Sequence, residues 1–224
     1  MTGFTLLTPP AAEPVTLADA KQQARIDTTA DDTLVTALIT GARQWAEEYT
    51  ARAFITQSWR LTLDLWPGAV EKWWDGVKQG PITGLDDINY ISLPRAPLQS
   101  VTSVTSYDNA DNGTLWDAGN YFVDTVRAPG RIALRMGAVW PVPLRLTNGI
   151  VIDYVSGYGS DGTSVPEPIK TAIRQLVAHW YEYRGEAATA PTSRSGSTII
   201  RPAVPVPLVI QALLDPYRIR YSGA

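Results

Sequence analysis

Between Asp31 and Trp66 the hydrophobic period of the chain changes from that of a helix to that of a strand, and this single junction restricts the fold more than any other feature. At helical spacing, Leu34, Leu38, Ala42, Trp45, Tyr49 and Ala53 fall on one stripe, which Val35, Ile39 and Ala46 widen to the apolar face of a packed helix. Asp31 or Asp32 stands where a cap is needed. After Ile55 the period is two: Trp59, Leu61, Leu63 and Leu65 alternate with Arg60, Thr62, Asp64 and Trp66, the pattern of a half-buried strand. A helix that feeds directly into a sheet predicts an α+β fold in which a helical layer and a β layer each need a core.

The chain has 224 residues, enough for one large composite domain. The expected division is an N-terminal arm and helices over 1–56, an inserted antiparallel β region over 57–156, a late helix over 157–184, and a linker with an extended C-terminal tail over 185–224. Nineteen basic against 22 acidic residues leave a net charge of -3, which argues against wrapping nucleic acid or lying on an anionic membrane. With no cysteine, neither a disulfide framework nor a thiolate metal site is available. Phe4, Leu6 and Leu7 followed by Pro9 and Pro10 do not read as a signal peptide, and no apolar run is long enough to span a bilayer.

Residues 1–14 read as a Pro-bearing arm. Thr16, with Asp19 three residues on, predicts a capped short helix whose buried side holds Leu17, Ala20, Ala24 and Ile26. Strands are expected near 59–65, 88–93, 100–107, 120–126, 131–135 and 149–156, with Asp108–Gly113 as a hairpin tip and Ala69–Gly84, carrying Trp73 and Trp74, as an excursion at the sheet edge. Helical spacing returns after Pro166 and Pro168 with Ile169, Ala172, Ile173, Leu176, Val177 and Trp180, and this helix should pack on the Asp31 helix. From Gly185 to Val204 the composition is that of a linker. Leu208–Leu214 then has room for about two helical turns, closed by Pro216.

The sequence offers few candidates for chemistry. Gly157, Gly159 and Gly162 match the G-x-G-x-x-G pattern, but Thr163, Ser164, Val165 and two prolines stand between the motif and the helix whose amides would have to meet a phosphate. A Gly-rich connection is the expected reading. Asp108–Gly113 has Ala110 at a ligand position and no closing glutamate, so it reads as a turn and not a calcium loop. The lone His179 has no second histidine or cysteine to form a dyad or a zinc site. The neighbours Asp31–Asp32, Glu47–Glu48 and Asp86–Asp87 do not face each other, and a solvated structural role is their default. Trp66, Trp73, Trp74 and Trp116 could offer stacking platforms, although packing is the better account of eight tryptophans.

Taken in order, the segments Thr16-Leu-Ala-Asp-Ala-Lys21, Ala42-Arg-Gln-Trp-Ala-Glu47, Arg52-Ala-Phe-Ile-Thr-Gln-Ser-Trp59 and Leu93-Pro-Arg-Ala-Pro-Leu-Gln-Ser-Val101 resemble the head-tail adaptor (connector) proteins of tailed bacteriophages and gene transfer agents. Pro129-Gly-Arg-Ile132, Tyr154-Val-Ser-Gly-Tyr-Gly159, Val165-Pro-Glu-Pro-Ile169 and Ala212-Leu-Leu-Asp-Pro-Tyr-Arg218 extend the resemblance over nearly the whole chain. It implies a structural virion protein of the neck, made in the bacterial host cytoplasm, with no catalysis and no cofactor. It further implies a homo-oligomeric ring, with twelve copies as the expected number, that joins the portal protein to the next connector or stopper and extends the channel through which DNA passes. The expected portal-docking element is the tail, with Leu208, Val209, Leu213 and Tyr217 entering a partner groove and Arg218 and Arg220 at its rim. A tail with no local core would fold on that partner; the alternative is that it packs back on its own helices. An aromatic-rich β module binding glycan or protein is the competing function, and an enzyme the third.

Overall fold

The switch of period at Ile55 is a real structural boundary: in a computed structural model of the chain, two compact units part there, one comprising 1–11 and 55–160, the other 12–54 and 161–224. The structure describes residues 2–66, 73–74, 77–78, 90–183 and 206–219. The fold is α+β. Most of the Trp73–Asp87 excursion, the Gly185–Val204 linker and Arg220 lie outside the described residues.

In the first unit, β1 (Thr2–Thr8), β2 (Gln57–Leu63), β10 (Ile150–Ser156), β6 (Leu98–Tyr107) and β7 (Gly113–Leu115) form one antiparallel sheet in the order β1-β2-β10-β6-β7. A second antiparallel sheet has the order β5-β9-β8, from Tyr90–Ser92, Arg131–Leu134 and Tyr121–Asp124. Two short strands, β3 (Trp73–Trp74) and β4 (Val77–Lys78), pair with each other. The alternation in β2 works as expected at its start: Trp59 and Leu61 are buried, while Arg60 points outward and forms a two-pronged ion pair with its cross-strand partner Asp153, at 2.7 and 2.8 Å. In the central strand β10, Ile150, Ile152 and Tyr154 alternate inward. With Leu93, Val104, Tyr121 and Ile132 they build one hydrophobic core, each large aliphatic side chain contributing on the order of 1.5–3 kcal/mol.

One expectation for this unit is refined and one corrected. Within the Pro-bearing arm expected over 1–14, residues 2–8 form the edge strand β1: Phe4 and Leu6 lie opposite Leu61 and Trp59, and the Arg95 guanidinium covers the Phe4 and Trp59 rings at 5.4 and 5.3 Å. The alternation expected through Trp66 stops at Leu63: Leu65 is exposed and Trp66 is buried. Trp66 stacks on Trp140 with centroids 4.5 Å apart, adjoins Trp116, and donates its indole N–H to the Pro141 carbonyl at 2.8 Å. A buried indole needs an acceptor, and here the loop backbone supplies it.

The second unit is helical: α1 (Leu17–Ala24), α2 (Asp32–Thr50), α3 (Glu167–Glu182) and α4 (Leu208–Leu214). Thr16 caps α1 as its sequence predicts, accepting the Asp19 N–H at 3.1 Å and donating to the Asp19 carboxylate at 2.7 Å. Asp31 occupies the N-cap of α2 without a side-chain cap; its carboxylate accepts instead from the Tyr181 hydroxyl of α3 at 2.5 Å. Helix α3 packs on α1 and α2 through Ile169, Ala172, Ile173, Leu176 and Val177, all buried, with Trp180 at the margin.

The buried face of α2 is displaced by one residue from the expected stripe. Val35, Ile39, Ala42 and Ala46 are deep, Leu34 is exposed, and Leu38, Trp45 and Tyr49 are half-buried. The same deep face carries Arg43, Glu47 and Thr50. Arg43 donates to Glu47 and Glu13 at 2.8 Å each, Thr40 donates to Glu13 at 2.9 Å, and Glu47 accepts the Phe54 N–H at 2.8 Å. Glu47 is therefore a buried, paired carboxylate and not a solvated one. The network ties the segment before α1, the middle of α2 and the chain leaving α2 to one another.

Candidate functional site

A seven-residue helix is too short to persist alone in water, so α4 must gain its stability from packing. It does so within its own chain, which corrects the expectation of a tail without a local core. Ile210 and Leu214, four residues apart and hence on one face, are completely buried against α3 and α2. Beyond the helix the tail runs along the C-terminal end of α2. The Ile219 N–H donates to the Thr50 carbonyl at 3.0 Å, satisfying one of the carbonyls that a helix end leaves without a partner. Tyr49 donates to Asp215 at 2.7 Å, Arg52 Nε donates to the Tyr217 carbonyl at 2.5 Å, and the Arg218 guanidinium lies 4.9 Å from the centre of the Tyr49 ring. The hydrogen bond to Asp215 holds the Tyr49 hydroxyl in its protonated form, pushing its pKa up.

The docked face leaves the opposite one open. Leu208 is 80 % and Val209 60 % exposed, Leu213 and Tyr217 are half-buried, and Arg218 is exposed. The structure thus divides the predicted site: Leu208, Val209 and Arg218 face solvent, Leu213 and Tyr217 sit at the margin of the docked tail, and Arg220 is not described. The residues that hold the tail, Tyr49, Thr50 and Arg52, are not singled out for that role by the sequence, since their partners lie more than 160 positions away.

The first unit carries its own exposed apolar group on loops. Val126, Met136, Val139, Val142 and Leu146 are each largely or wholly accessible. By contrast, Trp66 stacks on Trp140, while Trp116 stacks on Tyr121 and meets both other indoles at a tilt; Trp66 is in the core, with Trp116 and Trp140 half-buried against it.

The glycine motif serves the path of the chain. Gly157 has φ +140°, and a Cβ there would lie 2.6 Å from the Ile55 carbonyl carbon; a Cβ on Gly162 would lie 2.5 Å from the Pro14 carbonyl oxygen. Helix α3 begins only at Glu167. Asp108 closes the β6–β7 turn by accepting the Ala110 and Asn112 N–H groups at 2.8 and 2.9 Å and the Asn112 side-chain amide at 3.1 Å; the side-chain bond first, then the two backbone bonds, hold its carboxyl below the usual range. His179 packs its ring on Tyr183 at 4.8 Å. Among the described residues no group of three or more His, Cys, Asp or Glu side chains is placed to hold a metal ion, and no helix is long and apolar enough to cross a membrane.

Comparison with known proteins gives the same picture of the fold. Of the solved chains that match, three illustrate a likeness over essentially their whole length. One is from the neck of an empty gene transfer agent particle computed with C6 symmetry, 24 % identical with a TM-score of 0.69, covering 100 % of this chain and 98 % of that one. A second is from the virion of a native gene transfer agent particle, at 21 % identity and a TM-score of 0.65, covering 99 and 98 %. A third is from the neck of a native gene transfer agent particle computed with C12 symmetry, at 24 % and 0.63, covering 100 and 98 %. No individually curated protein matches. The family model described as phage gp6-like head-tail connector protein matches residues 14–111 and 140–218, spanning most of both units, from the Thr16 cap to the docked tail. The chain belongs to the phage gp6-like head-tail connector family, a family of structural phage proteins.

Proposed function

We propose that this protein is a structural adaptor in the neck of a tailed phage or a gene transfer agent, forming a ring that joins the portal protein to the next connector or stopper and extends the DNA channel. Membership of the connector family and the fold shared with neck proteins support the location at the head-tail interface. The two related necks were computed with six-fold and twelve-fold symmetry, and a ring of twelve copies is compatible with both.

The observation that carries this reading is the open face of α4: a helix anchored by Ile210 and Leu214 that presents Leu208 and Val209 to solvent. A helix held in place by its own chain is a preorganised ligand for a groove, because its ordering entropy is already lost before binding. Leu208 and Val209 would enter the portal's groove, Leu213 and Tyr217 would line its margin, and Arg218 with Arg220 would meet carboxylates at the rim. The exposed loop residues of the β unit supply a second surface for the tail-side partner, as a protein joining two others requires. Electron microscopy of the full-length protein mixed with its portal tests this. Rings seated on the portal with α4 at the contact are expected, and a protein that leaves the portal bare, or docks with α4 facing solvent, overturns the assignment.

A further inference from the structure

Among the described residues, the five-stranded sheet has two backbone edges that carry neither charge nor proline. Proteins blunt exposed edges with charge, proline, bulges or cover. In β1, residues Gly3 to Thr8 are exposed, Phe4, Leu6 and Leu7 among them, and the strand has no charged residue and no proline. Its one irregularity is the register shift between Leu6 and Thr8. At the other side, β7 covers β6 only at Thr105, Ser106 and Tyr107, and the Trp116 N–H reaches Val104. The stretch Gln99-Ser-Val-Thr-Ser103 therefore has an outer edge with no strand beside it among the described residues; it too has neither charge nor proline, and its irregularities are the register shifts against β10 at Gln99 and Thr102.

The two edges fit each other. Strand β1 is antiparallel to β2, β2 to β10, and β10 to β6, so β1 and β6 run in opposite directions. If one copy continues the sheet of another in the same sense, β1 arrives beside β6 antiparallel, in line with the end of the short β7. At seven residues, β1 is long enough to fill the open stretch of β6. We propose that β1 of each copy pairs with Gln99–Ser103 of the next, making the sheet continuous from subunit to subunit. Because the contact joins two different patches, repeating it closes a ring when the rotation allows, unlike a two-fold contact, which stops at a dimer. Main-chain hydrogen bonds supply the affinity, and coverage of Phe4, Leu6 or Leu7 adds the apolar part. Strand β1 lies outside the matched family span while β6 lies within it. The inference rests on the ring reading above, to which it adds the contact surface.

The chain has no cysteine, so engineered pairs are unambiguous. Within one copy β1 and β6 are separated by β2 and β10, placing them roughly 14 Å apart, beyond the Cα limit of about 7 Å for a disulfide. The test combines Leu6→Cys with Ser100→Cys, Val101→Cys or Thr102→Cys in the full-length protein, alone and mixed with its portal, followed by oxidation and non-reducing electrophoresis. A ladder of covalent oligomers from at least one pair is expected. In parallel, Ser100→Lys with Thr102→Lys should reduce the ring population in mass photometry by at least about tenfold while leaving the melting midpoint in place, since both positions are exposed or at the strand edge. Rings that form yet give no ladder and tolerate both lysines overturn the edge pairing and leave the ring reading standing. No ring of the unsubstituted protein, with or without the portal, overturns both.

Discussion

The Tyr49 hydroxyl, at the end of α2, donates to Asp215 at 2.7 Å across 166 positions of sequence. This bond, with the Thr50 carbonyl taking the Ile219 N–H, makes the tail part of the helical core and reverses what the linker-like composition of 185–204 suggests. Removing residues 206–224 would uncover the side of the core now filled by Ile210 and Leu214, each worth about 2–5 kcal/mol when truncated. The thermal midpoint of the truncated protein should fall by more than about 5 °C. An unchanged midpoint in calorimetry would show that the tail is not a working part of the core.

The outward face of the same helix should behave in the opposite way. Leu208→Asp with Val209→Asp touches two exposed side chains, so the melting midpoint should move by no more than expected for surface changes, about 0.5 kcal/mol. Co-sedimentation with the portal should be lost. Retention of portal binding in a folded double variant would remove α4 from the docking surface.

Arg43 and Glu47 are buried together on α2, with Glu13 as a second carboxylate for the guanidinium. Arg43→Ala leaves both carboxylates without their cation and should cost about 3–5 kcal/mol, measured by denaturant unfolding. Glu47→Gln keeps an acceptor for the Phe54 N–H and should cost less. The reverse order would mean that the helix-exit hydrogen bond, and not the ion pair, is the dominant part of the network.

Glu167, in the first turn of α3, has its pKa held down by Lys170 and then by Arg174, both of which donate to it. A carboxyl depressed on folding contributes stability that is complete above its unfolded value of about 4.3 and is lost as the pH falls through the lower folded value. The native protein should therefore be more stable than Glu167→Gln at neutral pH, by a small margin because the site is solvated, and the difference should close on acidification below about pH 4. A gap that stays constant into acid would assign the effect to something other than this charge.

Much of the architecture was legible because it depends on local period and local chemistry. The helix-to-strand switch at Ile55, the Thr16 cap, the spacing from Ile169 to Val177 and the Asp108 turn are each specified within a few residues, and each is present. The motifs in order were enough to point to the connector family.

What tertiary structure decided were the choices between partners distant in sequence. The period of α2 defines a stripe but not which edge of it is deepest; the Glu13 carboxylate and the Phe54 N–H settle that by giving Arg43 and Glu47 buried partners. Strand β1 carries no strong alternation of its own and becomes a strand because β2 offers it an edge. Residues 208–219 are too few to be stable by themselves, and their place is set by the apolar surface of α3 and the open carbonyl at the end of α2. Sequence alone determined the elements with sufficient local free energy of their own; for the edge strand, the deep ion pair and the tail, the stabilising contacts come from residues that only the folded chain brings near.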